Sequence, residues 1–179
     1  FAAWTGLDDP VIEIAITPNR ADCLGVRGVA RDLAAAGYGT LKPLDTSAHE
    51  GSFDSPVTWR LDLDGAEHLA PLITGIAFRG VTNGPSPDWM ARRLNAIGQR
   101  PISALVDITN YVMFDLGRPL HAYDIDKIHG SELIVRQADG GEPFAALNEK
   151  TYEMEAGMIT IGDAEGVDDL AGVMGGERT

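Results

Sequence analysis

The chain has 179 residues, with 27 acidic against 14 basic side chains, a net charge of −13 at pH 7 and a pI near 4.5. At 44% hydrophobic and 23% charged it has the makeup of a globular protein and not of a disordered tail, and no apolar run approaches the roughly 20 residues of a membrane span. A single cysteine, Cys23, excludes an intramolecular disulfide framework and the common cysteine-based zinc sites and fits a reducing cytosol, while the acid excess argues against an autonomous DNA or RNA binder.

The chain starts at Phe1 without an initiator Met or a signal-peptide pattern and stops just after a glycine pair, so it is expected to be a piece of something longer. Residues 11–16 (Val-Ile-Glu-Ile-Ala-Ile) read as a short strand. Thr17-Pro18-Asn19 breaks it, and Asp22 is the expected N-cap of a helix with Val26, Val29, Ala30 and Leu33 on one face, ended by Gly37 and Gly39. The polar stretch 40–56 reads as a linker, and a boundary is placed near 45. Val57, Trp59, Leu61 and Leu63 then alternate with polar residues as in an amphipathic strand, and 71–79, more continuously apolar, predicts a central one.

A helix is expected from Ser86 as N-cap and Pro87 as first residue to Gly98, with Met90, Leu94 and Ile97 inward and Arg92 and Arg93 outward. A second starts at Ser103 and buries Leu105, Ile108 and Val112. An irregular segment through Arg118 and His121 follows, then strands over 131–137, 143–147, 151–155, 158–161 and 170–174. This pattern predicts an α+β fold: a mixed, largely antiparallel sheet flanked by helices, preceded by a strand–turn–helix piece of a small discontinuous domain.

Charge is unevenly spread. Residues 120–179 hold 13 acids against 4 bases, whereas 79–118 carries Arg79, Arg92, Arg93, Arg100 and Arg118 against Asp88, Asp107 and Asp115. That middle is either an anion-binding face or a set of solvated arginines, and the acids after 120 are expected mainly to face solvent or partner domains. His121, in a loop after a proline, could orient a water or a substrate oxygen, or could simply hydrogen-bond loop backbone. Thr109 and Asn110 could line a pocket mouth near it, or make local helix bonds. His49, His68 and His129 are assigned to the surface. No HExxH, HxxxH or CxxC spacing supports a metal centre, and Gly172, Gly175 and Gly176 form no phosphate loop because the Walker lysine is absent.

Four stretches together carry a resemblance. Arg100-Pro101-Ile102-Ser103-Ala104-Leu105-Val106-Asp107-Ile108-Thr109-Asn110-Tyr111-Val112-Met113, and its continuation Leu116-Gly117-Arg118-Pro119-Leu120-His121-Ala122-Tyr123-Asp124, resemble the bacterial phenylalanyl-tRNA synthetase beta subunit. Thr17-Pro18-Asn19-Arg20-Ala21-Asp22-Cys23 and Ala171-Gly172-Val173-Met174-Gly175-Gly176-Glu177 are similar to the same subunit, in the same order.

The resemblance implies that residues 1–45 belong to the small N-terminal discontinuous domain. Residues 46–179 would then be a tRNA-editing domain, truncated at its C-terminal end, that hydrolyses tyrosine wrongly esterified to the phenylalanine tRNA. On that resemblance His121 positions the hydrolytic water, Thr109 and Asn110 stand at the pocket wall, and Gly175 keeps the pocket open for the tyrosine side chain. Arg92, Arg93 and Arg100 are the expected RNA contacts. A glutamate that accepts the tyrosine hydroxyl would lie past Thr179, and Leu69-Ala70-Pro71-Leu72 departs from the family's Cys-Pro-Arg-Tyr-like pattern by losing an arginine. The implied partners are the acylated 3′ end of the tRNA and an alpha subunit in a two-alpha, two-beta tetramer in the cytoplasm, with no membrane and no DNA. No cofactor or metal is expected in this piece; ATP and Mg²⁺ serve the parent enzyme. The alternatives are a non-catalytic RNA and subunit docking module of the same subunit, or a small metal-dependent hydrolase.

Overall fold

Residues 4, 8 and 10–178 are described by a computed structural model of the chain. The backbone gathers into two units: the first holds residues up to Ala48 together with Val81–Ala122, and the second holds His49–Gly80 and Tyr123 onward. The first unit contributes the α-helices and the second the strands, an α+β composition with a mixed, largely antiparallel sheet.

In the first unit, residues 11–16 find no ladder partner among the described residues, and Val11, Ile12 and Ile14 are exposed. A strand without a neighbour leaves its N–H and C=O groups to water, so the apolar alternation there does not produce one. Helix α1 (Val26–Ala35) follows, but its N-cap is Gly25 and not Asp22. Asp22 instead lies in a single 3₁₀ turn, Ala21–Cys23, where its carboxylate pairs with Arg20 and Arg31. The expected inward face of α1 is only half covered: Val29 and Ala30 are half-buried while Val26 and Leu33 are exposed.

Helices α2 (Asp88–Ala96) and α3 (Ala104–Leu116) pack together. Met90 and Leu94 are buried as the periodicity requires, but Ile97, Leu105 and Ile108 are exposed. The caps also differ from expectation. Pro87 is the N-cap of α2, and Ser103 stands at the N-cap of α3 without a side-chain cap bond. The free N–H groups at the start of α3 are satisfied from upstream instead. Ala104 N–H donates to the Gly84 carbonyl (2.7 Å) and Leu105 N–H to Asn83 Oδ1 (3.2 Å).

The Ser86 hydroxyl, released from capping, donates to Asp107, which is fully buried in the first turn of α3. Asp107 also accepts the Ile102 N–H at 2.9 Å, so one carboxylate ties the approach to α2, the interhelical loop and α3. Asp107→Ala leaves both donors without an acceptor. It is expected to lower stability by about 2 kcal/mol, read as a fall in the urea midpoint, whereas a change within error would show that the three segments hold together without it.

The second unit is built on a five-stranded sheet of order β1-β2-β5-β6-β7 with a separate hairpin, β3-β4. Strand β1 (Thr58–Asp62) runs parallel to β2 (Glu132–Gln137), and all other pairs are antiparallel: β5 (Ile159–Gly162), β6 (Val167–Leu170) and β7 (Met174–Gly175), with β3 (Glu142–Ala145) against β4 (Thr151–Met154). The parallel pair is possible because the chain leaves this unit after Gly80 and returns at Tyr123, a crossover far longer than a hairpin.

Phe144, Ala146, Met154, Ala138 and Val167 form one buried cluster, and Leu63, Ala66 and Val135 a second with Trp59, Ile73, Ile159 and Ile161 around it. Full burial of a side chain such as Phe144 stabilises by roughly 2 kcal/mol. Two strand expectations fail. Residues 71–79 pair with no strand among the described residues, leaving Leu72, Ile76 and Phe78 exposed. The single strand expected over 170–174 is two, because a turn at Ala171–Val173 with Gly172 at φ 71° sends the chain back antiparallel.

Candidate functional site

The residues singled out by the sequence fall in both units. Thr109 and Asn110 are neighbours on α3, each half-buried, and His121 is exposed in the loop that follows that helix; all three belong to the first unit. The Thr109 hydroxyl donates to the Val106 carbonyl at 2.7 Å, a bond within its own helix turn. Gly175 lies in the second unit at the end of β7, opposite Asp169, and its carbonyl accepts the Leu147 N–H at 3.0 Å.

The arginines differ among themselves. Arg92 and Arg100 are exposed. Arg93 is drawn into an aromatic cluster: its guanidinium carbon lies 5.5 Å from the Trp89 ring and 5.9 Å from the Tyr111 ring, and Nη1 donates to the Tyr111 hydroxyl. Trp89 and Tyr111 meet edge to face at 5.2 Å, so Arg93 also fastens α2 to α3. In the second unit Arg79 lies over the Phe53 ring at 4.2 Å.

Sequence reading missed a buried polar cluster in the second unit. Asp163, Asp168 and Asp169 are all buried, the exceptions in a segment whose acids are otherwise exposed or half-buried. Asp163 Oδ1 accepts the Glu165 N–H (2.8 Å), the Gly166 N–H (3.3 Å) and Arg178 Nη2 (2.7 Å), while Oδ2 accepts the His129 N–H (2.8 Å) with His129 Nδ1 at 3.2 Å. Burial alone would raise its pKa, but the backbone N–H groups of His129 and Glu165 and the Arg178 guanidinium prevail and hold it down at about 2.

Asp168 has the opposite balance. Its side chain is fully buried, its carboxylate oxygens have no hydrogen-bond donor among the described residues, and Arg178 Nε stands 3.4 Å away. Burial, aided by Asp163 and Asp169 and opposed by Arg178 and His129, lifts it to about 6. The Tyr123 hydroxyl donates to Asp169, and burial, with Asp169 next, pushes that phenol well above its ordinary value.

A carboxyl raised from 3.8 to about 6 keeps a proton in the fold that the unfolded chain releases. Stability from Asp168 is therefore present below about pH 4, falls as pH rises to about 6 and stays lower above. Asp168→Asn is expected to stabilise the protein by about 1 kcal/mol at pH 8, a value discounted for relaxation around the charge, and by almost nothing at pH 4. Urea titrations at the two pH values check this; a loss of stability at pH 8 would show that the Arg178 attraction dominates.

Among the described residues Asp22, Cys23 and Asp32 also bring potential metal-ligand atoms within 4.8 Å of one another. Their carboxylates are already neutralised: Arg20 Nη2 reaches Asp22 Oδ2 at 2.9 Å and Asp32 Oδ2 at 2.5 Å, and Arg31 pairs with both. Hydrogen bonding from Arg20 holds Asp22 well below the usual carboxylate range, and burial pushes the Cys23 thiol up, so the group is an ion-pair network around a protonated thiol. An open cavity of about 460 Å³ in the second unit is bounded by Glu142, Thr151, Glu165 and Arg178 among others, and none of His121, Thr109, Asn110 or Gly175 lines it. No helix among the described residues is long and apolar enough to cross a membrane.

The B3/4 domain family matches residues 69–179. Along its whole length the chain is 56% identical to the phenylalanine–tRNA ligase beta subunit of Brucella abortus (strain 2308) and 54% identical to that of Gluconobacter oxydans (strain 621H). It is 53% identical, again over its whole length, to the corresponding subunit of Bartonella henselae (strain Houston 1). The chain spans about a fifth of these curated relatives, 22%, 21% and 22% of their lengths. The resemblance read from the four motifs holds across the full sequence, and the chain belongs to the B3/4 domain family found in phenylalanine–tRNA ligase beta subunits.

Proposed function

We propose that the chain carries the editing module of a phenylalanine–tRNA ligase, with residues 46–179 as the editing domain and residues 1–45 as part of a small N-terminal domain. The observation that supports this most is the end-to-end identity of more than half with beta subunits. In the proposed reaction a water oxygen adds to the tyrosyl carbonyl carbon of misacylated tRNA. The ester C–O bond then breaks, the ribose oxygen takes up a proton, and free tyrosine leaves an intact tRNA.

His121 is assigned to orienting that water, and its exposure on a loop suits a group that must meet a substrate delivered from outside. Thr109 and Asn110 are assigned to the pocket wall and Gly175 to the tyrosine side chain. A site with fixed polar partners for a phenol rejects phenylalanine, which would leave those partners buried and unpaired. The ester is already activated, so an oriented water and hydrogen-bond donors can suffice without a covalent nucleophile.

The parent would be a cytoplasmic two-alpha, two-beta tetramer that uses ATP and Mg²⁺ to charge tRNA. Arg92 and Arg100, with Arg93 at the edge of its aromatic cluster, would be the phosphate contacts of this piece. The test is release of tyrosine from preformed tyrosyl-tRNA by the assembled parent enzyme. Turnover supports the reading, and tight binding of the tRNA without turnover supports a docking module in its place.

A further inference from the structure

The Gly175-Gly176 segment is held from two sides. On one side it is laced to the end of β3 and the turn beyond it: Leu147 N–H donates to the Gly175 carbonyl and Glu177 N–H to the Ala145 carbonyl, each at 3.0 Å. Gly176 is pressed so tightly that an added Cβ would lie 2.2 Å from the Asp168 carbonyl oxygen and 2.9 Å from the Phe144 ring. On the other side Arg178 reaches back to the buried aspartates, with Nη2 2.7 Å from Asp163 Oδ1 and Nε 3.4 Å from Asp168 Oδ1.

Asp163 is itself fixed by the backbone N–H groups of His129, Glu165 and Gly166, so the arginine is anchored to a rigid turn and not to a mobile side chain. It passes Gly166 so closely that a Cβ there would sit 2.8 Å from Nη1. Two adjacent glycines have the most backbone freedom to lose on folding. A guanidinium that hydrogen-bonds one buried carboxylate at 2.7 Å and stands at ion-pair distance, 3.4 Å, from a second is a directional way to restrict them.

We propose that Arg178 is a positioning residue that, by bridging Asp163 and Asp168, fixes the Gly175-Gly176 backbone against which the tyrosine side chain is read. The inference rests on the editing role given to Gly175 above. Its effect falls on substrate binding more than on the attack of water, which is assigned to His121.

The test is steady-state deacylation of tyrosyl-tRNA by the assembled parent enzyme carrying Arg178→Met or Arg178→Lys. Displacing a substrate-positioning backbone is expected to raise KM about tenfold in Arg178→Met with kcat within about twofold, and phenylalanine charging unchanged. Arg178→Lys keeps the charge but not the fork, so its KM should lie between those of Arg178→Met and the wild type. If Arg178→Met does not assemble, Arg178→Gln keeps much of the length and polarity without the charge, and the same rise in KM is expected. An unchanged KM, or a fall in kcat with KM constant, overturns the proposal. Should His121→Ala be fully active as well, the editing reading itself fails; should only Arg178→Met be wild-type, the clamp alone does.

Discussion

Replacing Asp163 by alanine is expected to destabilise the protein by about 4 kcal/mol, the largest stability effect of any single side chain discussed above. The carboxylate is fully buried and accepts from three backbone N–H groups and one guanidinium. Alanine removes all of those acceptors at once and leaves Arg178 beside an Asp168 that resists ionisation. Asp163→Asn keeps the shape and one acceptor oxygen, so about half of that loss is expected.

The two variants are separated by urea denaturation at pH 7, and pH gives a second check. With its pKa held at about 2, Asp163 contributes stability that is complete above about pH 4 and is lost as pH falls through 2. Wild type should therefore lose more stability on acidification below pH 4 than the alanine variant, in which Asp22 and the other ion-paired carboxylates still titrate. A destabilisation under about 1 kcal/mol would mean that water replaces the carboxylate among its donors.

Together the two aspartates give this cluster an unusual pH signature. Stability from Asp163 is gained between about pH 2 and 4, and stability from Asp168 is given up between about 4 and 6. The contribution of the cluster is thus greatest near pH 4.

Much of the fold was legible where one periodicity dominated. Val57 and Leu63 at the margins of β1, the β2 and β3-β4 strands, and Met90 and Leu94 of α2 all follow from spacing alone. Errors cluster where a local signal depended on a distant partner. Residues 11–16 and 71–79 have the apolar content of strands, but a strand needs an edge to pair with, and no sequence pattern supplies one. Strand β6 was invisible for the converse reason. Val-Asp-Asp-Leu looks like a solvated turn, yet its aspartates are buried, because Arg178 and Tyr123 reach them from elsewhere in the chain.

Ser86 and Asp22 looked like helix caps by residue type, but each found a stronger partner, Asp107 and the two arginines. The site showed the same division. His121, Thr109, Asn110 and Gly175, the residues assigned to the proposed site, are singled out only by the motifs they stand in, and neither charge nor periodicity distinguishes them. Asp163 does carry a local signal: Gly-Asp-Ala-Glu-Gly is a sequence in which an aspartate can accept the N–H two residues ahead, as Asp163 does from Glu165. Asp168 and Arg178 had no such signal, since their meeting is tertiary.

The second large effect concerns chemistry. His121→Ala in the assembled parent enzyme is expected to slow deacylation of tyrosyl-tRNA about a hundredfold, the lower range for loss of a group that orients or relays a proton to the attacking water. Phenylalanine activation and charging should be near normal, because His121 is an exposed loop residue and its removal opens no core cavity. Accumulation of mischarged tRNA in the presence of tyrosine should follow. Single-turnover hydrolysis of preformed tyrosyl-tRNA, wild type against His121→Ala, tests the account most directly. A rate about two orders of magnitude lower with charging intact is the predicted result; equal hydrolysis rates in the two proteins would contradict it.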